Sequence, residues 1–222
     1  MKLREYPDRE MMMMTLADIL ASDLRNALTQ RERASFCVPG GTTPGPIFDT
    51  LSGVNLEWDR VDVIPSDERW VDESAPRSNM RLVRSRLLTG AAAGARLIPL
   101  YADAPEPEDE VEALGALIEP CLPLSVVLLG MGADMHTASM FAGAEGLEAA
   151  LAPDAPILVP IRAPGQETRV TLSARVLAGA LSLHIVITGE DKREALQAAK
   201  SLPAHEAPVA AVLAHANVHW AA

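Results

Sequence analysis

Short runs of aliphatic and β-branched residues alternate along the chain with longer stretches in which apolar positions recur every three to four residues. The first kind predicts strands at Ser35–Val38, Val61–Ile64, Arg96–Leu100, Leu124–Leu129, Ile157–Pro160, Leu183–Thr188 and Val209–Leu213. The second predicts helices at Thr15–Gln30, Pro44–Leu51, Asn79–Leu87, Glu108–Ile118, Thr137–Phe141, Ser173–Ala178 and Lys192–Ala199. Strands this apolar on successive residues are covered on both faces, so the alternation predicts an α/β fold, a mostly parallel sheet with helices on both sides. No linker-like stretch divides the 222 residues, and one domain over 1–222 is expected.

Composition narrows this without redirecting it. Hydrophobic residues make up 49% and charged residues 22%, enough apolar surface for a full core and too much for a disordered chain. The methionine run Met11–Met14 leads into the periodic pattern Met13, Leu16, Ile19, Leu20, Leu24, and reads as helix packing. Residues 102–110, ADAPEPEDE, read as a solvated loop running into a helix start, with no chemistry of their own.

The formal net charge of −11, with lysines and arginines scattered, argues against a nucleic-acid partner. A small anionic ligand stays compatible with it, because a distant charge is screened over about 8 Å at physiological salt. Cys37 and Cys121 sit beside apolar residues and read as reduced core thiols. The opening MKLREYPDRE does not resemble a signal peptide, and no run approaches 18 continuous apolar residues. A cytoplasmic protein with no membrane partner is the expectation. The five histidines form no metal-binding pattern beyond the bare His215/His219 spacing, so neither metal nor cofactor is expected.

Ligands of such sheets bind beyond the carboxyl ends of the strands, and four segments stand out there. Pro39-Gly40-Gly41-Thr42-Thr43-Pro44-Gly45 follows a strand and precedes a helix. It suits either an anion cradle at a helix N-terminus or a tight turn without a ligand. Ser66-Asp67-Glu68-Arg69, with Ser78-Asn79 ahead of the next helix, offers two carboxylates and a guanidinium that could orient a sugar and a phosphate. A solvated turn and a helix cap are the plain alternatives. Gly130-Met131-Gly132-Ala133-Asp134-Met135-His136 delivers an aspartate and a histidine just before the predicted Thr137–Phe141 helix. Histidine suits a general base because its ordinary pKa of about 6.5 leaves a proton-accepting fraction at cellular pH, and a histidine satisfied by local hydrogen bonds is the plain alternative. Arg169 and Lys192 are further cations that could meet an anion, though a solvated lysine on the first turn of an exposed helix is the commoner fate.

In this order the segments resemble the 6-phosphogluconolactonase family, which shares its fold with glucosamine-6-phosphate deaminases. The resemblance implies a modified Rossmann-like domain that opens 6-phospho-D-glucono-1,5-lactone to 6-phosphogluconate in the oxidative pentose phosphate pathway. It implies His136 as the base acting on water, Asp67 near the reacting end, and Arg69 and Lys192 on the phosphate. Gly40, Gly41, Thr42 and Thr43 would line the pocket, with Arg169 a further member. The partner implied is a phosphorylated sugar lactone bound by a monomer or weak homo-oligomer. An amino-sugar-phosphate deaminase and a non-catalytic sugar-phosphate binder remain the alternatives. The deaminase branch carries a glutamate five residues after its histidine, where Phe141 stands here. Both branches usually place glycine before the histidine, where this chain has Met135. A left-handed backbone there would strain a methionine by about 1–3 kcal/mol.

Overall fold

The structure, a computed structural model, describes residues 1–222. The chain runs through β1 (Lys2–Glu5), α1 (Arg9–Gln30), β2 (Ala34–Val38), α2 (Gly45–Ser52), β3 (Val61–Pro65), β4 (Asp67–Arg69), α3 (Asn79–Arg86), β5 (Arg96–Leu97) and α4 (Val111–Ile118). It continues through β6 (Val126–Gly130), α5 (Leu147–Leu151), β7 (Leu158–Ile161), β8 (Arg169–Leu172), α6 (Ala174–Ala178), β9 (Ser182–Thr188), α7 (Glu190–Ala199) and β10 (Asn217–Ala221). Seven strands form one sheet in the order β1-β10-β9-β6-β2-β3-β5, and every pairing in it is parallel. A second, antiparallel sheet of β4-β8-β7 stands beyond the end of β3.

Successive strand residues alternate between two cores, as burial on both faces requires. Phe36, Val38, Val63, Val126 and Leu128 pack with α1 and α2 on one side. Cys37, Ile64, Val127 and Leu129 join the opposite cluster, formed with α4 to α7. Both cysteines are free and buried. No helix is long and apolar enough to cross a membrane.

Several elements differ from the sequence expectation. The first helix starts at Arg9 rather than Thr15, because the Asp8 side chain accepts from the Met11 amide and caps it. Met12 and Met13 enter the core while Met11 and Met14 stay exposed. The expected strand Val209–Leu213 is instead a 3-10 helix over Pro208–Val212, opened by a proline that cannot donate to a ladder. The last strand lies at Asn217–Ala221, where a polar residue, His219, is buried and breaks the apolar pattern. Lys2–Glu5, whose charged residues suit an exposed edge, was also outside the expected strands. Arg96–Leu100 shortens to Arg96–Leu97. Ile157–Pro160 corresponds to β7 of the antiparallel sheet rather than to the parallel one, and Glu108–Ile118 to a 3-10 turn followed by α4.

Candidate active site

From β2 the sheet grows through β3 to β5 in one direction, and from its neighbour β6 through β9 to β10 in the other. The carboxyl ends of β2 and β6 therefore part the chain to opposite sides and leave a crevice between them. A cavity of about 270 Å³ opens there, and Gly40, Gly41, Thr42, Thr43, Asp67, Arg69, His136, Arg169 and Lys192 all line it.

The loop after β2 turns through Gly41 at φ 84° and enters α2 behind Pro44. At Gly40 the side-chain amide of Asn79 occupies the place where a Cβ would stand, so glycine lets that amide pack against the loop backbone. The Asn79 side chain also donates to the Asp67 carbonyl (2.8 Å) and accepts from Arg69 Nη1 (3.2 Å). It ties the β2 loop, the β3 end and α3 together.

Asp67 and Glu68 leave β3 on opposite faces of β4 and meet different fates. Asp67 is buried at the cavity, accepting from Ser66 Oγ (2.8 Å) and Ser139 Oγ (2.5 Å), with Arg169 Nη1 at 3.8 Å. Glu68 turns away from the cavity, contrary to its expected share in holding a sugar. It accepts from the amides of Arg69, Asn79 and Met80 and from Ser78 Oγ, and so satisfies the free N–H groups at the start of α3. Burial pushes its carboxyl above the ordinary range against the pull of those four donors.

Past β6 the chain makes a tight loop, with the Gly132 amide bonded to the His136 carbonyl (3.0 Å) and the Met135 amide to the Gly132 carbonyl (3.0 Å). Met135 sits at φ 65° and Ala138 at φ 50°, so both neighbouring positions around His136-Thr137 are left-handed. Consecutive helical geometry is impossible there, and the expected helix Thr137–Phe141 is replaced by a turn in which Thr137 bridges Met140. The left-handed Met135, between Asp134 and His136, brings His136 Nδ1 to 2.5 Å from Asp134 Oδ1. Burial raises the proton affinity of Asp134, but the bonds and charge of His136 outweigh it and hold the carboxyl below its ordinary range. An ionised carboxylate only accepts, so Nδ1 is the donor in this bond and Nε2 is the ring nitrogen turned away from it. Gly132 is required here as well, since a Cβ would collide with His136 Nδ1 and Asp134 Oδ1.

Three cationic side chains, Arg69, Arg169 and Lys192, face the cavity against one lining carboxylate, Asp67. The local balance is the reverse of the chain's net charge of −11. The Nε groups of Arg69 and Arg169 are buried without a partner. Burial, with Arg69 adding to it and Asp67 opposing, holds Arg169 below the ordinary arginine range. Lys192 reaches the site from the first turn of α7, which Gly189 opens at φ 88°. Unmet donors and concentrated positive charge are the chemistry that suits an anion, and the His136 imidazole stands beside them.

Asp134 and Asn79 fall within the sequence motifs, yet sequence alone gives neither a place in the site. The Asp-x-His spacing was the available signal for the first, since a left-handed residue between the two folds them together. Ser139 has no such signal, because its bond to Asp67 joins segments distant in sequence, whereas Ser66 and Gly132 act on neighbours within their own motifs.

The chain matches the family model described as glucosamine-6-phosphate isomerases/6-phosphogluconolactonase over residues 7–220. It is 42% identical to a 6-phosphogluconolactonase of Mesorhizobium japonicum, covering 97% of this chain and 93% of the relative. It is 41% identical to one of Pseudomonas aeruginosa, covering 92% and 88%. The crystal structure of a 6-phosphogluconolactonase from Shewanella baltica superposes with a TM-score of 0.96 at 31% identity, covering 100% of this chain and 97% of that one.

Proposed function

The chain belongs to the family of glucosamine-6-phosphate isomerases and 6-phosphogluconolactonases, and from that premise we propose that it hydrolyses 6-phospho-D-glucono-1,5-lactone to 6-phosphogluconate. The observation that carries the reading is the Asp134–His136 pair opening into the same cavity as Arg69, Arg169 and Lys192. A base alone would fit many reactions. A base facing an anion seat selects a substrate with a phosphate at one end and an electrophilic carbon at the other.

In this mechanism Arg69, Arg169 and Lys192 hold the phosphate, and Gly40, Gly41, Thr42 and Thr43 border the sugar. Tethering the distant phosphate fixes the ring against the imidazole, which turns binding energy into orientation. His136 Nε2 takes a proton from water as the water oxygen bonds to the lactone carbonyl carbon. The ring C–O bond then breaks, and the imidazolium returns its proton to the departing ring oxygen. The sum is lactone plus water giving the hydroxy acid. The carbonyl is already electrophilic, so a positioned base, worth about 10²–10⁴-fold, and donors toward the developing oxyanion carry the step. Amide groups of the Gly40-Gly41 loop supply such donors. Asp67, which accepts from Ser66 and Ser139, stands near the reacting end and orders the inner wall.

Freshly generated lactone in a coupled assay with 6-phosphogluconate dehydrogenase tests the reading. Acceleration over the spontaneous rate, lost in His136→Ala while 6-phosphogluconate still binds, is the expected result. Tight binding with no turnover in the parent protein would sink it, and ammonia released from glucosamine 6-phosphate would replace it with the deaminase reading.

A further inference from the structure

Behind the cavity wall, Phe141 touches two of the side chains that face into it. Its ring centroid lies 4.5 Å from that of His136, with the planes tilted by 37°. The same ring lies 5.2 Å from the guanidinium carbon of Arg169. Phe141 is itself buried. On a helix a residue five positions on is turned by about 140°, away from its starting neighbour. Here the left-handed Ala138 and the bond from the Met140 amide to the Thr137 carbonyl (3.0 Å) fold the chain back, and Phe141 returns to the imidazole.

We propose that Phe141 is a positioning residue that sets the general base and the anion-binding arginine as one unit. The proposal rests on the lactonase reading above. The bond to Asp134 fixes one edge of the His136 ring but leaves the ring free to tilt about that bond. A flat neighbour packed against the imidazole removes the tilt and aims Nε2 at one point in the cavity. Arg169 is otherwise loosely held: Nη1 is 3.4 Å from Ser139 Oγ and 3.8 Å from Asp67, and Nε has no partner. The face of an aromatic ring attracts its charge without consuming a donor, so the guanidinium is seated while its N–H groups stay free for phosphate oxygens. An aliphatic side chain of similar volume would fill the space and supply neither effect.

The test compares Phe141→Leu, Phe141→Met and Phe141→Tyr, with Arg169→Lys alone and combined with Phe141→Leu, each melted thermally first. In folded Phe141→Leu or Phe141→Met, kcat falls about threefold to tenfold and KM rises about threefold. Phe141→Tyr keeps the ring and holds both constants within about twofold of the parent. In the Arg169→Lys background, Phe141→Leu still lowers kcat but no longer raises KM, because the contact behind the KM effect is already altered. Leucine and methionine variants that fold and keep both parental constants overturn the proposal, as does a KM effect that simply adds in the double variant. Absence of turnover in the parent protein strikes the lactonase reading instead. The pairing of Phe141 with Arg169 is then judged by calorimetric titration of 6-phosphogluconate across the same variants, where additive losses reject it.

Discussion

Arg69 and Arg169 are direct cross-strand partners in the antiparallel ladder of β4 and β8, so two guanidinium groups leave one face of a small sheet side by side. Like charges placed opposite one another destabilise a ladder, and both side chains keep a buried Nε without a partner. The arrangement is unfavourable in the free protein, and a phosphate bound as proposed would relieve it.

Arg169→Met should therefore separate binding from folding. Removing a charge-assisted bond to phosphate is worth about 1.5–3 kcal/mol, so KM should rise about 10- to 100-fold. The urea midpoint should hold or rise, because the repulsion across the ladder is relieved. Arg69→Ala and Lys192→Ala should likewise weaken binding more than folding. A collapse of the midpoint in these variants would show that the cations are structural.

Gly132→Ala tests the base from the opposite side. The added methyl meets His136 Nδ1 and Asp134 Oδ1, so the pair must separate or tilt. Most of the general-base contribution, about 10²–10⁴-fold, should leave kcat. Binding of 6-phosphogluconate should stay near parental, since the cations lie on β4, β8 and α7. Asp134→Asn should lower kcat in the same way without the steric clash, and unchanged turnover in both would remove the pair from the mechanism.

Met135 carries a methionine at φ 65° next to the base, held by a bond from the Val209 amide to its carbonyl (3.0 Å). A β-branched residue tolerates that backbone worse, so Met135→Val should lose about 1–3 kcal/mol of unfolding free energy. Met135→Gly relieves the backbone while freeing the unfolded chain, and its midpoint should lie well above that of the valine variant. Denaturant melts that rank valine at or above glycine would mean that the loop relaxes another way.

Acid should weaken the fold through His219. It is buried in a chain of bonds running from Tyr6 OH to His219 Nδ1 (2.8 Å), His219 to His184 (3.0 Å) and His184 to Asp23 (2.9 Å). Burial, with the charges of His184 and Arg4 adding to it, pushes its pKa down to about 3. The unfolded chain takes up the proton near pH 6.5 while the folded one does not. Stability is thus full above that pH and falls as pH drops from about 6.5 toward 3, at about 1.4 kcal/mol per pH unit for this group. Between pH 6.5 and 5 this amounts to about 2 kcal/mol, and His219→Gln should show a flatter loss over the same window. Parallel pH profiles for the two proteins would assign the acid sensitivity elsewhere.

The α/β class, most of the inner strands and the lining of the cavity follow from features local in the chain. A strand buried on both faces writes itself as an unbroken apolar run, and a strand end that faces a ligand writes itself as glycines followed by polar groups. Val126–Gly130 with the loop to His136, and Ala34–Val38 with Gly40-Gly41, are legible for that reason. What stayed illegible depends on partners far away in sequence. His219 looks polar until His184 and Tyr6 satisfy it, which hid the last strand. Glu68 looks like a ligand-binding acid until α3 places its free amides against it. Thr137–Phe141 has the composition of a short helix, yet the left-handed residues on either side of His136-Thr137, braced from Val209, make it the turn that returns Phe141 to the imidazole. Local propensity determined which residues could do chemistry; long-range packing decided which of them point into the cavity, because a side chain's direction is set by the backbone its neighbours impose.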